Sequence, residues 1–186
     1  VQEASRCKDI VKSLLEFARQ TEPKMEPTDI NRAITDGLFF LENQALFHNV
    51  QIIKQLNPFL PFVQGNSGQL KQVFINIIVN AAEAIRGSGT LTITTSHDTH
   101  RKKVFVEFTD TGEGIPEENL TRIFEPFFTT KDIGKGTGLG LATSYGIIED
   151  HGGKISVKSM VGRGTTFTIE LPASLETQHL LEADPI

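Results

Sequence analysis

The chain has 186 residues, a net charge of −5 and one cysteine, Cys7. The length suits one ordinary domain with a little left over, and a single cysteine excludes an intramolecular disulfide. Lysines and arginines are scattered, which argues against a nucleic-acid or anionic-membrane surface; no stretch is long and apolar enough to span a bilayer, and the opening residues lack the basic-apolar-small pattern of a secretory signal. The expectation is a soluble piece of chain, cut from something larger.

Residues 1–20 predict an amphipathic helix. Ile10, Leu14 and Phe17 fall at four- and three-residue spacing beside a second stripe of Cys7, Val11, Leu14 and Ala18. Such a face calls for another helix, a second copy, or the main domain. "TEPKMEPTD" then puts two prolines in five residues and reads as a linker. From Thr28, "NRAITDGLFFLENQALFH" predicts a helix with Ile34, Leu38, Leu41 and Ala45 on one side, and "NVQIIKQL" a strand. "GNSGQLKQVFINIIVNAAEAI" predicts a second helix opened by a capping-box pattern, Asn66-x-x-Gln69. "TLTITTSH" and "KVFVEFTD" alternate at period two as neighbouring strands, joined by a solvated hairpin tip around Arg101-Lys102-Lys103. "PEENLTRIF" is a short helix with Pro116 in its first turn, "LATSYGIIEDH" a further helix, and "GKISVKS" and "GTTFTIELP" two closing strands. Beyond Pro172 the tail is polar. Neighbouring strands pairing, with helices between them, imply an α+β two-layer sandwich whose mixed sheet is covered on one face; doubly wound topology would need stricter alternation.

Four stretches offer chemistry. The helix around Asn76 and Asn80 is apolar almost all round, yet Gln69, Gln72, Asn76, Asn80 and Glu83 make one polar stripe. Burying the two amides unpaired would cost a few kcal/mol, roughly. They therefore bond either a neighbouring loop or a polar ligand or metal, and the pair alone leaves both open. In "DTGEGIP", Asp110 ends a strand before Gly112 and Gly114. That is either a plain turn or a carboxylate that accepts from the 6-amino group of adenine and repels guanine's oxygen. "FEPFFTTK" places Phe124, Phe127 and Phe128 close together as anchors of a loop, with Lys131 either solvated or within reach of phosphate. "IGKGTGLGLA" carries alternating Gly134, Gly136, Gly138 and Gly140. It fits neither G-x-x-x-x-G-K-[ST] nor G-x-G-x-x-G, but it opens a helix, whose free N–H groups favour anions.

Taken in order, "NIIVNAAEAI", "DTGEGI", "FEPFFTTK", "GKGTGLGLA" and "HGGKISVKSMVGRGTTFTIELP" resemble the N, G1, F and G2 boxes and closing strands of bacterial sensor histidine kinases, nearest the nitrogen-regulator type. The resemblance covers about residues 28–172 and implies the Bergerat ATP-binding fold shared with gyrase, Hsp90 and MutL. It divides the chain into a remnant second dimerisation helix (1–21), a linker (22–27), a catalytic ATP-binding domain (28–172) and a tail (173–186).

By that resemblance Asn80 ligates Mg²⁺ and Asn76 lies beside the phosphates, with Glu83 and Ala84 continuing the box. Asp110 accepts from adenine, Gly112 and Gly114 shape the base pocket, Ile115 lines it, and the Thr165 hydroxyl lies near the adenine edge. Gly136, Thr137, Gly138 and Gly140 wrap the phosphates with the N–H groups of Leu139 and Leu141, and Lys131 assists catalysis with Asn76 and Asn80. At position 76 the ATP-hydrolysing relatives hold a Glu that activates water; Asn cannot take a proton, which favours kinase over ATPase.

None of His48, His97, His100, His151 or His179 stands in a phosphoacceptor context, and His151 sits in the HGG turn with a structural role. The chain is expected to start after the phosphoacceptor helix and not to autophosphorylate alone. Its partners would be ATP or ADP, its own dimerisation helix in a homodimeric parent, and a response regulator, with no nucleic acid and no membrane contact by this piece of chain; its location would be cytoplasmic, with a membrane anchor elsewhere in the parent left open. The rival reading is a nucleotide-dependent regulatory module of the anti-sigma-kinase or chaperone kind. A pseudokinase scaffold is disfavoured by the four intact boxes.

Overall fold

The computed structural model describes residues 24–41, 44–131 and 136–174. The helix read over 1–21, the start of the linker, Ile133, Gly134 and Lys135 of the glycine stretch, and the tail from 175 lie outside the described residues. The elements in chain order are β1 (Glu26–Thr28), α1 (Ile30–Leu41), β2 (Val50–Gln55), β3 (Val63–Gly65), α2 (Ser67–Ala84), β4 (Gly89–Asp98), β5 (Lys103–Asp110), α3 (Glu117–Leu120), α4 (Gly140–Asp150), β6 (Lys154–Met160) and β7 (Gly164–Pro172).

Five strands form one mixed sheet in the order β2-β4-β5-β7-β6, with β2 and β4 parallel and the other neighbours antiparallel. Period-two alternation turns Leu91, Ile93, Val104, Val106, Phe108, Phe167, Ile169 and Leu171 inward. There they meet α2, whose Leu70, Val73, Phe74, Ile77 and Ile78 are fully buried, and α1 and α4 flank that helix. The other sheet face carries polar cross-strand pairs such as Thr109–Thr166, Thr168–Glu107 and Lys103–Glu170. The two-layer α+β sandwich read from the sequence is the fold observed.

Three local expectations change. The first helix ends at Leu41; Ala45–Phe47 is a single 3₁₀ turn that shifts the phase, so Ala45 is exposed and Phe47 takes the core position. Residues 26 and 27, read as linker, belong to β1, which pairs with β3 as a separate two-stranded sheet. Pro27, opposite Gln64, is tolerated because a two-stranded sheet consists only of edges. The helix read over 116–124 is α-helical only at Glu117–Leu120, with Pro116 as its extended N-cap. At the other boundary the Ser174 N–H donates to Phe62 O at 2.7 Å.

Candidate functional site

Helix α2 is the axis of the site, and its N-terminus is fixed first. Asn66 caps it as expected, Oδ1 accepting from Gln69 N at 2.9 Å. The reciprocal arm of the capping box is absent: Asn66 N donates instead to His151 Nε2 at 3.0 Å, and the opposite ring nitrogen lies 2.7 Å from Ile147 O. Accepting at Nε2 puts the proton on Nδ1, so one buried imidazole ties the start of α2 to the end of α4. The His151→Ala variant is expected to lose about 2–3 kcal/mol, since it leaves the Asn66 N–H and the Ile147 carbonyl without this partner. Thermal unfolding checks this; a midpoint within a degree or two of the parent's would contradict it.

One turn after another, α2 presents Asn76, Asn80, Glu83 and Ala84 along about 12 Å of axis. At the near end, Asn76 Nδ2 donates to Gly140 O at 3.2 Å and to Ser144 Oγ at 3.3 Å, so half of this amide bonds a neighbouring helix. Its Oδ1 has no hydrogen bond among the described residues and is not sealed from solvent. Helix α4 starts at Gly140 with no side-chain cap, leaving first-turn N–H groups, that of Leu141 among them, for an anion. The N–H of Leu139 is already engaged by Thr137 Oγ1 at 3.3 Å.

One turn further along α2, Asn80 Oδ1 accepts from Lys131 Nζ at 2.9 Å, and the same ammonium pairs with the Glu83 carboxylate. Of the two options its sequence offered, solvated or within reach of phosphate, Lys131 is not simply solvated. Gly136 lies against it: a Cβ there would come within 2.9 Å of Thr129 Oγ1 and 3.2 Å of Lys131 Cδ.

At the far end α2 meets the β5 turn. A Cβ at Gly112 would lie 2.7 Å from Ala84 O, and Glu113 N donates to that same carbonyl at 3.0 Å. Gly114 has φ +75°, and a Cβ on it would lie 2.2 Å from Met160 O, so no other residue fits without moving backbone. Asp110 is only 3% exposed, and its Oδ1 accepts from Gly112 N at 2.8 Å and Thr165 N at 3.2 Å. Oδ2 has no hydrogen bond among the described residues and is not sealed from solvent. Burial pushes this carboxyl above the usual aspartate range, opposed by the two backbone donors.

Two residues here had no role in the sequence reading. Ser159 Oγ accepts from Ile115 N at 2.7 Å, donates to Gly164 O at 3.0 Å and lies 2.8 Å from Thr165 Oγ1. Gly164, with φ +107°, lets the start of β7 lie directly on Asp110. The Thr165 hydroxyl is thus engaged with Ser159, while its backbone N–H reaches Asp110.

The phenylalanine loop is anchored by two rings of three. Phe124 and Phe128 pack on the core, but Phe127 is 62% exposed with φ +67°. Its N–H donates to Gly138 O at 2.9 Å, and Gly138 (φ +67°) is pressed so close that a Cβ would lie 2.4 Å from the Phe127 carbonyl carbon. Gly138→Ala should therefore unclasp the loop from the glycine stretch, raising amide exchange at Phe127 and costing roughly 2 kcal/mol. Unchanged exchange at Phe127 would count against the clasp.

Among the described residues no three His, Cys, Asp or Glu side chains gather as a metal site. Asn80 Oδ1 and the Glu83 carboxylate are hard oxygen donors, which suit Mg²⁺ bound through one or two protein groups plus phosphate oxygens.

Comparison with known proteins gives the following. The profile of the histidine kinase-, DNA gyrase B- and HSP90-like ATPases matches residues 65–175. The sensor histidine kinase ZraS of Escherichia coli K12 is 38% identical over 173 residues, covering 93% of this chain and 36% of ZraS. The chain thus spans about a third of that curated relative's length. The solved catalytic domain of the histidine kinase ThkA superposes with TM-score 0.71 at 34% identity, covering 82% of this chain and 98% of that one. ThkA in complex with the response regulator protein TrrA gives TM-score 0.76 at 32% identity, over 94% of this chain and 49% of that one.

Proposed function

The chain belongs to the histidine kinase-, DNA gyrase B- and HSP90-like ATPase family, and we propose that it is the ATP-binding catalytic domain of a nitrogen-regulator-like sensor histidine kinase. One observation carries this: a carboxylate suited to a base and a row of phosphate-suited groups lie at opposite ends of the same helix face. Asp110 stands by Ala84, and Asn80, Asn76 and the uncapped start of α4 follow toward the other end. A nucleoside triphosphate has the same polarity, with the base at one end and the charge at the other.

In this reading Asp110 Oδ2 accepts from the adenine amino group, and Gly112, Gly114, Ile115 and Thr165 shape the base pocket. Asn76 Oδ1 and the α4 N–H groups orient the phosphates, with Gly136, Thr137, Gly138 and Gly140 close around them. Asn80 would hold Mg²⁺, which when bound would neutralise charge on the phosphates. No carboxylate stands at position 76 to take a proton from water, so the γ-phosphoryl group is kept for an imidazole nitrogen on a dimerisation helix. That nitrogen forms the new P–N bond as the bond to the ADP oxygen breaks, and the imidazole loses its proton. Positioning and electrostatics carry most of such a transfer. The parent is proposed to be a cytoplasmically exposed homodimer that passes the phosphoryl group to a response regulator; among the described residues no helix is long and apolar enough to cross a membrane.

Incubation with γ-labelled ATP tests the assignment. The chain alone is expected to stay unlabelled, and adding a peptide dimer that carries the family's phosphoacceptor helix should yield an acid-labile phosphohistidine on that peptide. Rapid release of labelled phosphate to water, insensitive to Asn76→Ala, would overturn the kinase reading in favour of an ATPase.

A further inference from the structure

We infer that Lys131 and a divalent cation are rival occupants of the Asn80–Glu83 oxygen pair, so that metal can enter only as the lysine ammonium leaves. This rests on the nucleotide site proposed above and adds a competitor for its metal position.

Asn80 and Glu83 stand three residues apart on α2, which places their oxygens on one face of the helix. The Lys131 ammonium bonds both, at 2.9 Å to Asn80 Oδ1 and in direct contact with the carboxylate. The lysine and glutamate side chains are 36% and 34% exposed, so the pair lies at the surface with each side chain partly covered. The backbone at this position is tied down, Lys131 N donating to Thr129 Oγ1 at 3.2 Å, and Gly136 lies beside the side-chain methylenes.

The chemistry of the two occupants is the same in kind. An ammonium carries three donors and no acceptor, and it seeks the anionic and carbonyl oxygens that a hard divalent cation seeks. A cation on Asn80 Oδ1 would sit roughly 2.1 Å from that oxygen. An ammonium nitrogen 2.9 Å from the same atom would then be a near neighbour of like charge, and the two repel strongly at that separation. The flexible four-carbon stem makes the lysine the group that yields, and anionic phosphate oxygens are its natural next partner. Its departure also leaves the Glu83 carboxylate as a free acceptor beside the incoming metal.

The test uses the full chain saturated with ADP, which lacks the γ-phosphate, and manganese(II) as the probe. Free Mn²⁺ is counted by electron paramagnetic resonance. Lys131→Met should tighten Mn²⁺ binding about three- to tenfold, the size of coupling expected of a partly screened ion pair. Lys131→Arg, which keeps the charge, should stay within about twofold of the parent on the same ground. Unchanged or weaker Mn²⁺ binding by Lys131→Met, or equal tightening by Lys131→Arg, overturns the inference. Metal-free calorimetry with ADP separates the two layers. If ADP does not bind, both this inference and the nucleotide reading fall. If ADP binds and Mn²⁺ affinity ignores Lys131, this inference alone falls.

Discussion

Asp110→Asn is expected to weaken ATP binding by about 100-fold while leaving the empty domain as stable as the parent or more so. The binding loss follows from how the amide must orient. Two backbone N–H groups, those of Gly112 and Thr165, converge on Oδ1. An asparagine can satisfy them only with its carbonyl oxygen, which turns its NH₂ toward the position that Oδ2 holds. A donor then faces the adenine amino group, itself a donor. Losing a charge-assisted hydrogen bond and creating that mismatch amounts to about 3 kcal/mol, or roughly two decades in Kd. The same NH₂ suits the oxygen of guanine, so the preference for ATP over GTP should collapse as well.

The stability half follows from the raised carboxyl. Asp110 binds its proton more tightly in the folded chain than in the unfolded one, because burial disfavours the ionised form. Between the unfolded and the folded values the native state holds more protons, so the stability contributed by this residue falls as pH rises through that window. At neutral pH its ionised form opposes folding, and the neutral amide removes that opposition. ATP affinity of the parent should fall on acidification, beginning above the usual aspartate range, and Asp110→Asn should lack that limb. Calorimetry with ATP and GTP across pH, paired with thermal unfolding, measures both halves. An asparagine variant that still preferred ATP would show that Asp110 does not read the base.

What could be read in advance was what local patterns encode. Strands β4, β5 and β7 alternate cleanly and end at glycine or a charged tip, so their bounds fell within a residue or two of the observed ones. The polar stripe on α2 stood out because Asn76 and Asn80 interrupt an otherwise apolar helix. The Bergerat-type resemblance then ordered those pieces, and the observed sheet agrees with it. The pairing of β1 with β3 was hidden because each strand has three residues and Pro27 argues against a strand in any local window. Ser159 and Gly164 were missed for another reason. Ser159 matters only because the β6–β7 register sets it opposite Thr165, and Gly164 only because β7 returns onto the end of β5. The Lys131–Glu83 and Asn66–His151 contacts span 48 and 85 residues. Periodicity carries no information over such separations, and only the assembled fold supplies it.

Gly164→Ala is expected to be the most damaging glycine-to-alanine substitution among the described residues. The added Cβ would lie 1.9 Å from the Asp110 carbonyl oxygen, 2.9 Å from its carbon and 3.1 Å from Thr111 Cα. Those are backbone atoms at the end of a central strand and just beyond it, so no rotamer change can relieve the contact. Relief requires the start of β7 to lift off the end of β5. That movement breaks the Thr165 N–Asp110 Oδ1 bond and disturbs the Ser159 Oγ–Gly164 O bond, so both walls of the proposed base pocket shift together. Close contact plus a φ of +107°, which L residues rarely adopt, should cost about 3–5 kcal/mol and lower Tm by roughly 10 °C or more. Gly162→Ala separates the two causes. Gly162 also has a positive φ, +78°, but a Cβ there meets nothing within 4 Å, so it should cost only about 1–2 kcal/mol. The difference between the variants in thermal or denaturant unfolding therefore reports chiefly the close approach of β7 to Asp110, with a smaller part from the wider φ at Gly164. Equal losses would mean that backbone strain, and not contact with the Asp110 backbone carbonyl, is what requires glycine at position 164.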